Sequence, residues 1–148
     1  MKLTEAQVEL VWRHVERELR DLWPHLDQLD LQLSAVAAGR RIGFRTGNAF
    51  ESWLCARDLP RFREIRDGCY LVRIHALGLA AGSMGALAEV NGCYPSVYTR
   101  FIKRVYGAGW RELRSLRVTE VRRYVASVWA AARPRLLVQS SHARLPHI

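Results

Sequence analysis

Val8, Val11, Trp12, Val15, Leu19, Leu22 and Trp23 recur at intervals of three and four along the start of the chain, with polar and charged side chains between them. That spacing predicts an amphipathic helix. Thr4 and Gln7 carry the signature of a capping box at its beginning, and Pro24 is expected to stop it. Residues 25–38 fit two periods: Leu26, Leu29, Leu33 and Val36 suit a helix, whereas Leu29, Leu31 and Leu33 alternate as in a strand, and helix is the preferred reading. "RRIGFRTG", bounded by Gly39 and Gly47, reads as a short extended segment near residues 41–46. A lone strand leaves its backbone groups unpaired, so this segment is expected to pair with another segment or with a second subunit.

Further along, residues 49–56 suit a short helix with Phe50, Trp53 and Leu54 inward. Asp58 and Pro60 open a longer one, its inward positions Phe62, Ile65, Cys69, Val72, Ala76 and Leu79, and it ends near Gly82. Ser83 can cap the next helix, which runs to Val90 and buries Ala86, Leu87 and Val90. Asn91 and Gly92 tolerate the left-handed conformation that ends a helix, and Pro95 suits the first turn of another. On a wheel of 100° per residue, Val97, Tyr98, Phe101, Ile102 and Val105 fall on one side of that helix, and Ser96, Thr99, Arg100 and Lys103 fall opposite. From Trp110 an amphipathic helix continues to about Arg133, with Arg117 on its apolar side, snorkelling or pairing with a carboxylate. Periodicity is lost beyond Pro134.

The expected fold is therefore mainly α: a helical domain with a C-terminal helix-turn-helix and one short extended segment near 41–46. Residues 1–57 form an N-terminal part suited to dimerisation, 58–133 the helix-turn-helix part, and 134–148 a flexible tail.

Charge sharpens this picture. The 148 residues carry a formal net charge of +9, unevenly spread. Residues 1–30 hold four basic and seven acidic side chains, whereas 95–123 hold eight basic and two acidic, a net of +6. A basic patch favours a polyanionic partner, because neutralising phosphates releases condensed counterions. Ser96, Thr99, Arg100 and Lys103 are side chains that can read base edges in a major groove, arginine by two hydrogen bonds to guanine. Ser83, at a helix start, and Arg104, Arg111 and Arg114 are candidates for phosphate contacts, which position without specifying sequence.

Other chemistry finds little support. Cys55, Cys69 and Cys93 form no C-x-x-C pair, and His14, His25, His75, His142 and His147 show no ligand spacing, so neither a metal nor a cofactor is expected. Nucleotide-loop and nucleophile-elbow motifs are missing, and the acids mostly stand beside arginines, so the chain is not expected to be an enzyme. Since no apolar run approaches roughly 18 residues, a cytoplasmic protein without a membrane span is expected.

"LAEVNGCYPSVYTRFIKRVYGAGWRELRSLRVTEVRRYV" resembles the second helix-turn-helix of AraC/XylS-type transcription activators over residues 83–125. Leu87, Ala88, Pro95, Ser96, Thr99, Arg100, Phe101, Ile102, Lys103, Arg104, Gly107, Trp110, Leu116, Arg117 and Val118 fill places of that pattern. In layout, with "GRRIGFRTGNAFESWLCARD" ahead of the motif, the chain is also similar to phage Mor-type activators, which dimerise. These resemblances imply a transcription regulator that binds double-stranded DNA as a homodimer. The other classes left open are a nonspecific DNA- or RNA-binding accessory protein and a protein-interaction module with a basic face.

Overall fold

The computed structural model describes residues 2–142, with side chains described through residue 138. Ten helices and no strand occur among them: α1 (Glu5–Glu18), α2 (Trp23–Leu26), α3 (Ala35–Arg41), α4 (Gly47–Ala56), α5 (Phe62–Ala81), α6 (Met84–Val90), α7 (Pro95–Tyr106), α8 (Trp110–Arg114), α9 (Val118–Ala132) and α10 (Arg135–His142). The chain forms two compact units. Unit 1 runs to Arg66 and resumes at Ala126, and unit 2 is Asp67–Val125, so the division falls within α5 and within α9. These limits differ from the expected boundaries at 57 and 133.

In unit 1, α1 begins with the reciprocal capping box of Thr4 and Gln7, at 2.9 and 3.1 Å. Its stripe of Val8, Val11, Trp12 and Val15 is buried, as are Leu19 and Leu22 beyond its end. The Trp12 ring lies 4.6 Å from that of Trp129, whose indole N–H donates to the Glu64 carbonyl at 3.0 Å. This apolar stripe is thus consumed by the unit's own core. Pro24 does not end α1, which stops at Glu18; it lies in the first turn of the short α2, a place that suits its ring.

Residues 25–38 are not one helix. Leu29 takes a positive φ of 54°, which breaks the run, and Ser34 caps α3 through the Ala37 N–H at 3.1 Å. The expected extended segment is not formed either. Arg40 and Arg41 complete α3, and the Phe44 and Gly43 N–H groups bond back to the carbonyls of Gly39 and Arg40 at 2.8 and 3.3 Å. These local bonds satisfy backbone groups that a strand would have to pair elsewhere. Phe44 turns onto Phe50 and Trp53, at ring separations of 5.5 and 5.6 Å. Thr46 then caps α4. Where a loose tail was expected from residue 134, Arg135–His142 form α10, which packs on α1 and buries Leu136; residues 143–148 of the expected tail lie outside the described residues.

His14, on α1, is buried between two hydrogen bonds: its Nε2–H donates to the Arg57 carbonyl at 3.4 Å, and its Nδ1 accepts from Arg17 at 3.1 Å. Burial pushes the imidazole below its ordinary value, and the added proton would face the Arg17 guanidinium. The unfolded chain, titrating near the usual histidine value of about 6.5, therefore takes up the proton first as pH falls. The contribution is fully present above that pH and is lost as pH falls through the lower, folded value. Melting temperature is expected to decline between pH 7 and 5, and His14→Gln to flatten that decline.

In unit 2 the exposed and buried sides of α5 depart from the expected pattern. Ala76 and Leu79 are exposed, while Asp67, Tyr70, Leu71, Ile74 and His75 are buried. The inward face carries polar and small residues that hydropathy undervalues. His75 donates through Nε2 to the Leu116 carbonyl at 2.9 Å, and a Cβ at Gly78 would overlap the side chains of Met84 and Trp110. The expected continuous helix from Trp110 is broken at residues 115–117 into α8 and α9. The Ser115 hydroxyl bonds back to the Glu112 carbonyl at 2.6 Å, and the Arg117 N–H donates to Glu120 at 3.0 Å. Arg117 is consequently exposed and paired with Glu120, at 3.4 Å from its Nε, and does not lie on an apolar side.

Among the described residues no single helix is long and apolar enough to cross a membrane. Taken together, α5 and α6 reach that length and composition, but the chain bends by 96° between them.

Candidate nucleic-acid interface

Three helices of unit 2 carry the residues singled out for DNA. Ser83 caps α6 by accepting the Ala86 N–H at 3.0 Å. At the other end, the Cys93 N–H bonds to the Ala88 carbonyl at 3.0 Å and the Gly92 N–H to the Glu89 carbonyl at 3.3 Å. This paired arrangement requires a left-handed residue, supplied by Gly92 at φ 67°, whereas Asn91 keeps a negative φ. No neighbour would touch a Cβ at Gly92, so alanine there pays only the conformational penalty. Gly92→Ala is expected to destabilise by about 1 kcal/mol in urea denaturation.

Asn91 fastens the turn to the following helix. Its side-chain amide donates to the Leu87 carbonyl at 3.2 Å and to the Tyr98 hydroxyl at 2.9 Å. Leu87, Ala88, Tyr98, Phe101 and Ile102 are buried as α6 and α7 pack together. Burial, followed by the interaction with Cys93, raises the Tyr98 phenol above its ordinary value, so it stays protonated and keeps its hydrogen-bonding form.

The second helix begins at Pro95 and ends at Gly107, in the left-handed region at φ 85°. With Tyr98, Phe101 and Ile102 fixing one side, Ser96, Thr99, Arg100 and Lys103 are all exposed on the other. The Thr99 hydroxyl donates back to the Ser96 carbonyl at 3.3 Å. Arg100 and Lys103 make no ion pair with a described residue. From residue 96 to 103 this file spans about 10 Å, using the helical rise of 1.5 Å per residue.

Arg104 is placed differently from its neighbours. Its guanidinium donates to the two oxygens of the largely buried Asp67 at 2.7 and 3.5 Å, and stands 5.5 Å from the Phe101 ring. That pairing ties α7 to α5, a structural task the charge pattern alone did not reveal. Arg111 and Arg114 are exposed on α8, which packs against α7. Glu112 completes the start of α8 by accepting the Gly109 N–H at 3.1 Å.

The sequence reading missed the apolar surface beside the polar file. Val90 and Val97, both expected inward, are 80% and 40% exposed, and Tyr94 is 81% exposed. Val90 ends α6 and Tyr94 lies outside α7, where a helical wheel does not govern side-chain direction. The tyrosine before a helix-starting proline was the available signal. Among the described residues, no group of three or more histidine, cysteine, aspartate or glutamate side chains could hold a metal ion.

Comparison with protein-family models, with curated proteins and with solved structures returns no match.

Proposed function

We propose that this protein is a sequence-specific DNA-binding transcription regulator in which α6 and α7 act as a helix-turn-helix. The observation that carries the reading is the exposed file of Ser96, Thr99, Arg100 and Lys103 on a helix whose opposite side is fixed in the core. Its length matches the rise of about three base pairs. Hydroxyls and a free guanidinium on such a helix can contact base edges in the major groove, and Lys103 can reach bases or phosphates. Arg111 and Arg114 supply phosphate contacts, as does Ser83 at the start of α6, while Arg104 serves chiefly to hold α7 through Asp67. The likeness to AraC/XylS-type activators supports the same reading, in a cytoplasmic, non-enzymatic protein. A homodimer on double-stranded DNA would have to use a surface other than the stripe of α1, which is buried.

The second reading, a protein-interaction module, draws on the exposed Val90, Tyr94 and Val97. Exposed apolar and aromatic side chains beside cations suit a protein partner as well as a nucleic acid. Selection from a random duplex library at about 150 mM salt separates these readings, since lower salt exaggerates phosphate attraction. A recovered motif supports the DNA-reading function, and a palindrome supports the dimer. Binding without enrichment over input points to a nonspecific nucleic-acid binder, and absence of binding points to a protein partner.

A further inference from the structure

Val97 and Tyr94 stand at the same end of unit 2 as the polar file but differ from it in chemistry. Val97 occupies the first turn of α7, where its N–H donates to the Tyr94 carbonyl at 3.1 Å. The Tyr94 side chain neither caps the helix nor enters the core. Apolar surface is therefore held in water where α7 begins, which is unfavourable until something covers it. The first residues of the second helix in a helix-turn-helix are also the ones that approach base edges.

The position of Val97 relative to Arg100 selects what it can touch. Three residues separate them, so their side chains are neighbours, about 60° apart around the helix and about 4.5 Å apart along its axis. One base-pair step is about 3.4 Å. A guanidinium bonded to the O6 and N7 of a guanine thus has an apolar neighbour at the level of the next base pair. In the major groove the apolar group on a base edge is the 5-methyl of thymine. Charge argues against a purely apolar occupant. Arg100 and Lys103 are exposed and make no ion pair with a described residue, so whatever covers Val97 must also bring acceptors or negative charge. Thymine within a duplex meets both demands, with a methyl group on the base and phosphates on either side.

We propose that Val97, with Tyr94 on its N-terminal side, reads the 5-methyl group of a thymine next to the guanine bound by Arg100. This rests on the DNA-reading function above and adds to it a guanine with thymine at the adjacent base pair. Val97 is then a specificity-determining residue that acts through contact and desolvation, not through a hydrogen bond.

The test uses the full chain and the duplex recovered from the random library at about 150 mM salt. Each thymine is replaced in turn by uracil, which removes the methyl group and leaves the hydrogen-bonding groups of the base edge in place. One replacement, next to the guanine whose identity ceases to matter in Arg100→Ala, is expected to weaken binding about fourfold, the effect of one buried methyl group. Val97→Ala is expected to bind the thymine and uracil duplexes equally while still preferring that guanine. Tyr94→Ala, outside the packed core, is expected to reduce the preference for thymine, and melting temperatures verify that both variants are folded. A recovered sequence in which no uracil replacement weakens binding, or a uracil effect unchanged in folded Val97→Ala and Tyr94→Ala, overturns the methyl-reading inference and leaves the helix-turn-helix reading in place. Recovery of no sequence overturns both.

Discussion

Arg100→Ala is expected to weaken binding to a selected duplex by about 1–3 kcal/mol, roughly five- to over a hundredfold, and to relax selectivity at one base pair. The side chain is exposed on α7 and is not used in an ion pair among the described residues, so its removal leaves Tyr98, Phe101 and Ile102 in place. Melting temperature should therefore stay close to that of the parent protein. Arg100→Lys separates the two roles of the guanidinium. Lysine keeps the charge but lacks the planar fork that forms two parallel bonds, so affinity for random duplex should persist while discrimination falls. Equilibrium binding to matched and mismatched duplexes at one salt concentration provides the measurement. An Arg100→Ala protein that binds the selected duplex as tightly as its parent would remove this residue from the proposed reading face.

Trp129→Ala is expected to cost about 3–5 kcal/mol of stability, the range for emptying a large aromatic site in a packed core. Trp129 is fully buried, packs on Trp12, and its indole satisfies the Glu64 carbonyl. Truncation creates a cavity beside Trp12 and leaves a carbonyl without its indole donor. Trp129→Phe retains an aromatic ring but loses the donor, and should fall between alanine and the parent. Urea denaturation followed by far-ultraviolet circular dichroism measures the difference. A shift of less than about 1 kcal/mol for alanine would mean that this core collapses around the lost ring.

The helices with uninterrupted amphipathic spacing were the legible part of the fold. The start of α1 and the polar file of α7 follow from capping residues and from apolar side chains at three and four, whereas for α5 that spacing gave the length of the helix and not its buried side. The short connections were less legible because local backbone bonds, not hydropathy, decide them. Phe44 looks like a strand residue until the Gly39 carbonyl captures its N–H, and Leu116 continues an apolar series that the Ser115 hydroxyl and the Glu120 carboxylate interrupt. At the candidate interface, periodicity placed Ser96, Thr99, Arg100 and Lys103 on one exposed face. It could not find the partner of Arg104, because Asp67 lies 37 positions away in sequence. Val90 illustrates the same limit at a helix end, where one residue of difference decides between core and solvent.

The pairing of Arg104 with Asp67 also changes what formal charge means for this protein. The net of +6 from 95 to 123 already sets Glu120 against Arg117, but it leaves out Asp67, which lies outside that span and compensates Arg104. The effective valence presented to a polyanion is accordingly smaller, and it is concentrated in a few placed groups. Such a surface gains less from approaching in many orientations and more from one alignment in which its few cations all find an oxygen.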